Sequence, residues 1–393
     1  MNALRALRPR LLTRAVLSSE NYVWLRDNCR CPECVNQDTM QRNLDSFAQI
    51  PSNIRPKSYR RGDREVSVEW PDGHKSYYDR EFIEFYTMND HRPDPDSAVK
   101  WERFNSETAQ APPTISYDKV MKTEEGVGEL TATIVQRGFV LVENTPYDDP
   151  DKTRQLLERI AFIRYTHYGG FYDFTPDLSM ADTAYTNLAL PAHTDTTYFS
   201  DPAGLQSFHL LSHQPAPGGV EGSSVEGGKS LLVDGFFAAQ ILAQENHEAY
   251  RVLSSIPIPW HASGNDGITI RPDKLYPVLE VRASELNGMG LSRVRWNNAD
   301  RGVVPLSSEF EPDAWYSAAR AWDAILKRPD MECWIQLEPG KVLIFDNWRV
   351  LHGRSAFTGI RRICGGYINR DDFISRYRNT NFTRKEVLNM VMG

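Results

Sequence analysis

Short apolar runs, the turn residues between them and a few helical stretches predict a mainly β chain with covering helices. The arrangement expected is a double-sheet jelly roll behind a small β-rich N-terminal module. The clearest strand runs lie at 138–142, 208–211, 230–233 and 342–345. Each is apolar on consecutive positions, as a strand buried on both faces must be. Helical stretches are expected at 149–160, where Asp149 caps and Pro150 opens the first turn, and at 236–253 and 314–327.

In chain order, the first eighteen residues carry Arg5, Arg8, Arg10 and Arg14 and no acid. That is the composition of a mitochondrial targeting segment, and an Arg-rich frayed end is the alternative. Residues 19–105 then read as the N-terminal module. Cys29, Cys31 and Cys34 crowd into six residues, and a Val/Tyr-rich hairpin turning at Pro71-Asp72-Gly73 carries His74. Three thiolates and one imidazole are the donor set of a closed structural zinc site, although Cys-x-Cys is tighter than the usual knuckle. Three buried thiols and an exposed turn histidine are the alternative. Polar, Pro-rich sequence from 89 to 113 reads as the connection, and 112–393 as the larger domain. The Gly/Ser/Glu-rich stretch 215–228 reads as a loop.

The chemistry centres on 181–200. His193-Thr194-Asp195 places an imidazole and a carboxylate two positions apart, so on an extended backbone both leave the same face. A third ligand is offered by His352, at the far end of the apolar strand that begins at Lys341. Two histidines and one carboxylate on one side of an ion leave the other side open, the arrangement of non-haem Fe(II) oxygenases.

Composition narrows the setting. The 393 residues are 40% hydrophobic, enough for a large core, and no run of about 18 apolar residues suggests a membrane span. A net charge of -7 and a pI near 5.8 argue against a broad nucleic-acid surface. Five cysteines, an odd number, fit a reducing compartment better than a disulfide framework.

Three strings read together, Trp24-Leu-Arg-Asp-Asn-Cys29, His193-Thr-Asp195 and Asn347-Trp-Arg-Val-Leu-His352-Gly-Arg354, resemble the 2-oxoglutarate-dependent oxygenases of the γ-butyrobetaine/trimethyllysine dioxygenase family. The strings around 182–199 and 357–372 resemble its trimethyllysine branch. The resemblance covers nearly the whole chain from Asn21. It implies a double-stranded β-helix, Fe(II) on His193, Asp195 and His352, and zinc on Cys29, Cys31, Cys34 and His74. It further implies C3 hydroxylation of N6-trimethyl-L-lysine with 2-oxoglutarate and O2, ascorbate as reductant, a homodimer and the mitochondrial matrix, with the cytoplasm as alternative.

The same resemblance assigns Arg361, with Ser230, to the remote carboxylate of 2-oxoglutarate; a guanidinium gives that carboxylate a bidentate, always-charged partner. If Arg361 points inward, Arg362 must point outward. Tyr168, Tyr172, Tyr185 and Tyr367 match an aromatic cage for a trimethylammonium group, which cannot donate a hydrogen bond and is held by ring faces. Asp182 would pair with an α-ammonium and Asn297 with an α-carboxylate, favouring trimethyllysine over butyrobetaine. The readings kept open beside this one are a γ-butyrobetaine dioxygenase and a non-catalytic jelly roll that binds methyl-lysine.

Overall fold

A computed structural model describes residues 21–79, 82, 83, 86, 101–175, 186–215, 225–281, 290–306 and 312–392. The expectations for the arginine-rich start, Asp182 and Tyr185 therefore lie outside the described residues. The chain divides into two compact units, one running up to Asp94 and the other from Pro95.

In the first unit, α1 (Tyr22–Asp27) and the single turn α2 (Ser46–Gln49) precede an antiparallel sheet in the order β1 (Ser58–Arg61), β2 (Glu65–Glu69), β3 (Lys75–Asp79). Alternation decides which face is covered: Val66 and Val68 on β2, and Ser76 and Tyr78 on β3, turn inward. They pack with Leu25, Ile50 and Trp70 in a small core. Gly73 closes the β2–β3 hairpin at φ +85°, a conformation in which a side chain would be strained.

The second unit opens with a 3₁₀ turn (Ser106–Gln110), β4 (Thr114–Ser116), α3 (Tyr117–Lys122), α4 (Glu124–Arg137), β5 (Phe139–Glu143) and α5 (Pro150–Ile160). Next come β6 (Tyr172–Phe174), β7 (Leu190–His193), β8 (Leu205–Gln214), β9 (Ser230–Asp234), α6 (Gly235–Glu245) and α7 (His247–Ser255). Then follow β10 (Leu279–Val281), β11 (Leu291–Val294), α8 (Pro312–Leu326), β12 (Cys333–Ile335), β13 (Lys341–Asp346) and β14 (Val350–Arg354). The chain ends with β15 (Ile360–Gly365), β16 (Tyr367–Ile368), α9 (Arg370–Asn381) and α10 (Arg384–Met392).

Two sheets face each other. The larger runs β4-β5-β13-β8-β15-β6 with β16 beside β8, and the smaller runs β12-β9-β14-β7; β10 and β11 form a separate pair. Leu343 and Phe345 on β13 and Leu141 on β5 meet Leu232 on β9 and Val350 on β14 between the sheets. Their neighbours Val342, Ile344 and Val140 face α4, α5 and α9 instead. Burial on both faces is why these strands read as unbroken apolar runs, each buried side chain contributing about 1.5–3 kcal/mol. Leu231 and Val233 on β9 face a third cluster built by α6, α7 and α8.

The mainly β expectation is corrected. More described residues lie in helices than in strands, and α3, α4, α9 and α10 are among the helices not anticipated. Their apolar positions are diluted: Gly126 and Gly128 lie on the buried face of α4, and α9 is strongly polar in composition. The expected single helix over 236–253 is two helices, broken at Asn246, whose side chain leaves the first and caps the second by accepting from Ala249 N–H at 3.0 Å. Trp101 and Phe104, read as part of the N-terminal module, pack in the second unit against Phe236 and Phe139.

Candidate active site

β14 and β7 are antiparallel neighbours in a register that sets His352 directly opposite His193. On its other side His352 pairs with Leu232, an inter-sheet residue, so strand alternation turns the imidazole inward. The two rings lie 4.4 Å apart, centroid to centroid. Asp195 follows His193 by two positions, with its carboxylate 3.2 Å from His193 Nε2 and 3.9 Å from His352 Nε2. Donor atoms of all three side chains lie within 4.8 Å of one another.

The loop carrying Asp195 is held from several directions. Asn347 accepts from the Asp195 N–H at 2.9 Å and donates to its carbonyl at 3.0 Å, tying this loop to the turn that leads into β14. Thr194 and Trp296 exchange two hydrogen bonds, of 2.7 and 3.0 Å. Buried Arg295 donates to the carbonyls of Thr197 and, at 2.7 Å, Phe199. Thr196 sits at φ +58°, a left-handed conformation that costs energy for a β-branched residue and persists because these contacts fix it.

Protonation follows the geometry. Burial pushes the His352 imidazole down to about 3, with His193 beside it adding to the effect, so its lone pair is available at neutral pH. Burial also works against charge on Asp195, but the imidazoles of His193 and His352 and the Tyr367 hydroxyl outweigh it and hold the carboxyl well below its usual range. His193 is raised because Asp195 overcomes its burial. His193 Nδ1 hydrogen-bonds the Pro191 carbonyl at 2.8 Å, which leaves Nε2 directed at the common centre. On Asp195, Oδ2 accepts from Gln206 Nε2 at 2.7 Å and from the Tyr367 hydroxyl at 2.8 Å, while Oδ1 is the oxygen nearest His193. Two imidazole nitrogens, that of His193 giving up its proton to the ion, and one ionised oxygen would be a donor set that fits a divalent first-row metal such as Fe(II).

These ligands open onto a cavity of about 420 Å³. Of the residues singled out from the sequence, Tyr168, Tyr172, Ser230, Asn297, Arg361 and Tyr367 line it. Arg361 is buried, whereas its neighbour Arg362 points outward and forms a bidentate pair with Asp173 at 2.8 and 2.6 Å. The Arg361 Nε is buried and has no hydrogen-bond partner among the described residues. A buried donor of that kind is costly to leave unmatched and suits an incoming carboxylate. The Tyr172 hydroxyl is tied to the Ser207 carbonyl at 2.6 Å, and its ring packs edge-on to Tyr367 with centroids 5.9 Å apart.

Among the cavity residues not identified from the sequence are Arg354, Gln206 and Asp300. Arg354 lies two positions beyond His352, and strand period could have flagged it. It donates to the Thr186 and Leu188 carbonyls at 2.6 and 3.0 Å. Burial lowers both guanidiniums to about 10, so both remain charged at neutral pH. Nothing local marks Gln206, which faces the site only because β8 crosses beneath it.

In the first unit, Cys29, Cys31 and Cys34 place their sulfurs 3.3, 3.6 and 3.5 Å from His74 Nε2. His74 Nδ1 hydrogen-bonds Glu33 at 3.0 Å, and Arg26 donates to the Cys34 sulfur at 3.1 Å. All five cysteines are free thiols.

Residues 103–367 match the model of the taurine catabolism dioxygenase TauD, TfdA family, and residues 16–83 match the gamma-butyrobetaine hydroxylase-like N-terminal model. The chain is 60% identical to a trimethyllysine dioxygenase of Neurospora crassa over 94% of its own length and 82% of the relative. It is 39% identical to that of Meyerozyma guilliermondii, covering 94% of this chain and 92% of the relative. Identity to the mitochondrial trimethyllysine dioxygenase of Homo sapiens is 38%, over 91% and 82%. By its sequence, this chain belongs to the trimethyllysine dioxygenase family of TauD/TfdA dioxygenases.

Proposed function

We propose that the protein hydroxylates C3 of N6-trimethyl-L-lysine. In this reaction one atom of O2 enters the product as the new hydroxyl, and the other enters the succinate formed, with CO2, from 2-oxoglutarate. The observation that carries this reading is the convergence of His193, Asp195 and His352 on the wall of a cavity that also holds two buried guanidiniums and several tyrosines. Bound there by those three side chains, Fe(II) supplies the redox chemistry that couples O2 reduction to oxidative decarboxylation of the keto acid.

The protein's own part is positioning. Arg361, with Ser230 and the neighbouring Arg354, gives the remote carboxylate of 2-oxoglutarate a charged, largely dry partner. Tyr168, Tyr172 and Tyr367 offer ring faces to the trimethylammonium group, each attraction contributing about 0.5–2 kcal/mol according to desolvation. Tyr185 and Asp182 are assigned to the same substrate by family resemblance. Asn297 receives the α-carboxylate. Fixing both ends holds the intervening carbon over the metal, which is where the rate gain of an oriented reactant originates.

In the first unit we assign a structural zinc ion to Cys29, Cys31, Cys34 and His74. Sulfur-to-nitrogen distances of 3.3–3.6 Å are the edges of a tetrahedron with metal bonds of about 2.0 and 2.3 Å. Glu33 holds the imidazole in the matching tautomer. A homodimer, ascorbate as reductant and the mitochondrial matrix complete the proposal, the mitochondrion being supported by mammalian relatives named mitochondrial. No nucleic-acid or membrane partner is included; among the described residues no helix is long and apolar enough to cross a membrane.

The test is mass spectrometry of trimethyllysine and butyrobetaine incubated side by side with Fe(II), 2-oxoglutarate and air, after metal analysis of the same preparation. The expected result is a gain of one oxygen on trimethyllysine, matched by succinate, with one zinc per chain and no succinate from His193→Ala. Preferential oxidation of butyrobetaine overturns the substrate. Succinate from His193→Ala at the wild-type rate overturns the site.

A further inference from the structure

We propose that Phe357 is a positioning residue for the co-substrate: its ring holds the guanidiniums of Arg361 and Arg354 in place and so sets the length of 2-oxo acid that the cavity accepts. This rests on the reading of Arg361 as the partner of the remote carboxylate of 2-oxoglutarate, and goes beyond it to what fixes that partner.

The need for such a residue follows from charge. Arg354 and Arg361 line one cavity and are 9% and 5% exposed. The Arg354 Cζ lies 4.9 Å and the Arg361 Cζ 5.8 Å from the centroid of the Phe357 ring. Two cations gathered at one ring repel each other, and in a mostly dry place water and salt screen that repulsion poorly. The ring attracts a guanidinium through its quadrupole without engaging an N–H. It therefore steadies the group and leaves its donors to the co-substrate. The Arg361 Nε is such a donor, buried and without a hydrogen-bond partner among the described residues.

The chain places the ring where it can serve both cations. Phe357 stands in the connection between β14 and β15, three residues beyond Arg354 and four before Arg361. It is buried but is not part of the cavity wall, so it reaches the co-substrate only through the arginines. Its N–H donates to the Asn187 carbonyl at 3.2 Å, and its backbone bridges to Gly227. The imidazole of His213, on β8, packs edge-on to the ring with centroids 5.8 Å apart, and its Nε2 is hydrogen-bonded to the Thr358 carbonyl at 2.7 Å.

The opposing backbone closes in as far as glycine allows. A Cβ added at Gly227 would lie 1.9 Å from the Ala356 carbonyl oxygen, and one at Gly228 would lie 3.4 Å from both the Arg361 Nε and the Phe357 Cβ. Arg361 is thus bounded by the ring and by the Gly228 backbone. A 2-oxo acid anchored at the metal ligands spans a set distance to this guanidinium. Where the guanidinium cannot retreat, an acid one methylene longer must buckle or push it aside, which selects against it.

The experiment titrates the anaerobic Fe(II)-loaded protein with 2-oxoglutarate and with 2-oxoadipate, one methylene longer, following the absorbance of the bound keto acid. Wild type, Phe357→Leu and Phe357→Tyr are compared, with trimethyllysine affinity measured by calorimetry on the same preparations. Partial misfolding cancels from the ratio of the two acids' Kd values. Wild type is expected to favour 2-oxoglutarate. Phe357→Leu, which keeps an apolar side chain and removes the ring, is expected to weaken 2-oxoglutarate on the order of tenfold and 2-oxoadipate less, leaving trimethyllysine unchanged. Phe357→Tyr, which keeps the ring, is expected to restore 2-oxoglutarate affinity to within about twofold of wild type. Unchanged affinities in Phe357→Leu, or an equal weakening of both acids, overturn the inference. A loss in Phe357→Tyr as large as in Phe357→Leu overturns it too, since shape rather than the ring face would then be responsible. Equal affinity of wild type for the two acids overturns the inference but leaves the oxygenase reading standing. Binding of neither acid overturns the function proposal, and the inference falls with it.

Discussion

Tyr367 illustrates how one side chain serves two neighbours. Its ring lines the cavity, and its hydroxyl donates to Asp195 Oδ2, the oxygen also held by Gln206. Burial and the Asp195 charge keep that hydroxyl protonated far above neutral pH, so it is a permanent donor. Two donors on Oδ2 keep the carboxylate from rotating and would leave Oδ1 available to a bound metal ion. Tyr367→Phe preserves the ring and removes one donor. Its expected effect is about a tenfold loss of Fe(II) affinity, with a smaller change in substrate affinity, read by anaerobic metal titration. Unchanged metal affinity would leave Gln206 as the sole support. The motif legible in the sequence named the three side chains that converge in the structure, but Gln206 was invisible there, because a donor to such a carboxylate can come from any strand that passes nearby.

At the scale of elements, the pairing of β7 with β14 brings together His193 and His352, two of the three proposed iron ligands. Its register depends on Gly353, where an added Cβ would lie 2.4 Å from the Leu190 carbonyl on β7, closer than atoms approach. Gly353→Ala must therefore push the strands apart next to His352. The expected cost is about 1–3 kcal/mol of stability together with weaker metal binding, measured by thermal melts with and without metal. A melt shift without any change in metal binding would show that the strands accommodate the methyl away from the histidines. The junction before β14 is fixed by Arg349, buried in a bidentate pair with Asp234 at 3.1 and 2.7 Å and donating to the Gln136 and Glu102 carbonyls. Sequence patterning found the strands through their apolar runs. The helices α4 and α9 escaped it, because glycines and charges dilute the 3.6-residue period on which such a reading depends.

For the molecule as a whole, His209 links stability to pH. It is fully buried on β8, with Nδ1 2.6 Å from the Thr153 hydroxyl and Nε2 accepting from the Gly340 N–H at 3.1 Å. That pairing uses the neutral ring, and burial lowers its pKa to about 4. The unfolded chain binds this proton near pH 6.5 and the folded chain does not, so the contribution is fully present above pH 6.5 and is lost as pH falls towards 4. The loss is up to about 3 kcal/mol, read as the slope of unfolding free energy against pH. His209→Gln is expected to flatten that slope; an unchanged slope would place the acid sensitivity elsewhere.

The amino-acid sequence by itself determined the candidate ligand types, their local spacing and the strands that carry them, because His-x-Asp on an extended segment and an apolar run ending in histidine are properties of neighbours along the chain. It determined the alternation of Arg361 and Arg362 for the same reason. Only tertiary structure decided that His352 stands opposite His193, that Gln206 and Tyr367 share one carboxylate oxygen, and that Asp300 reaches the cavity. Those contacts join positions as far apart as 195 and 367, and sheet register, which local spacing does not encode, sets which residues meet.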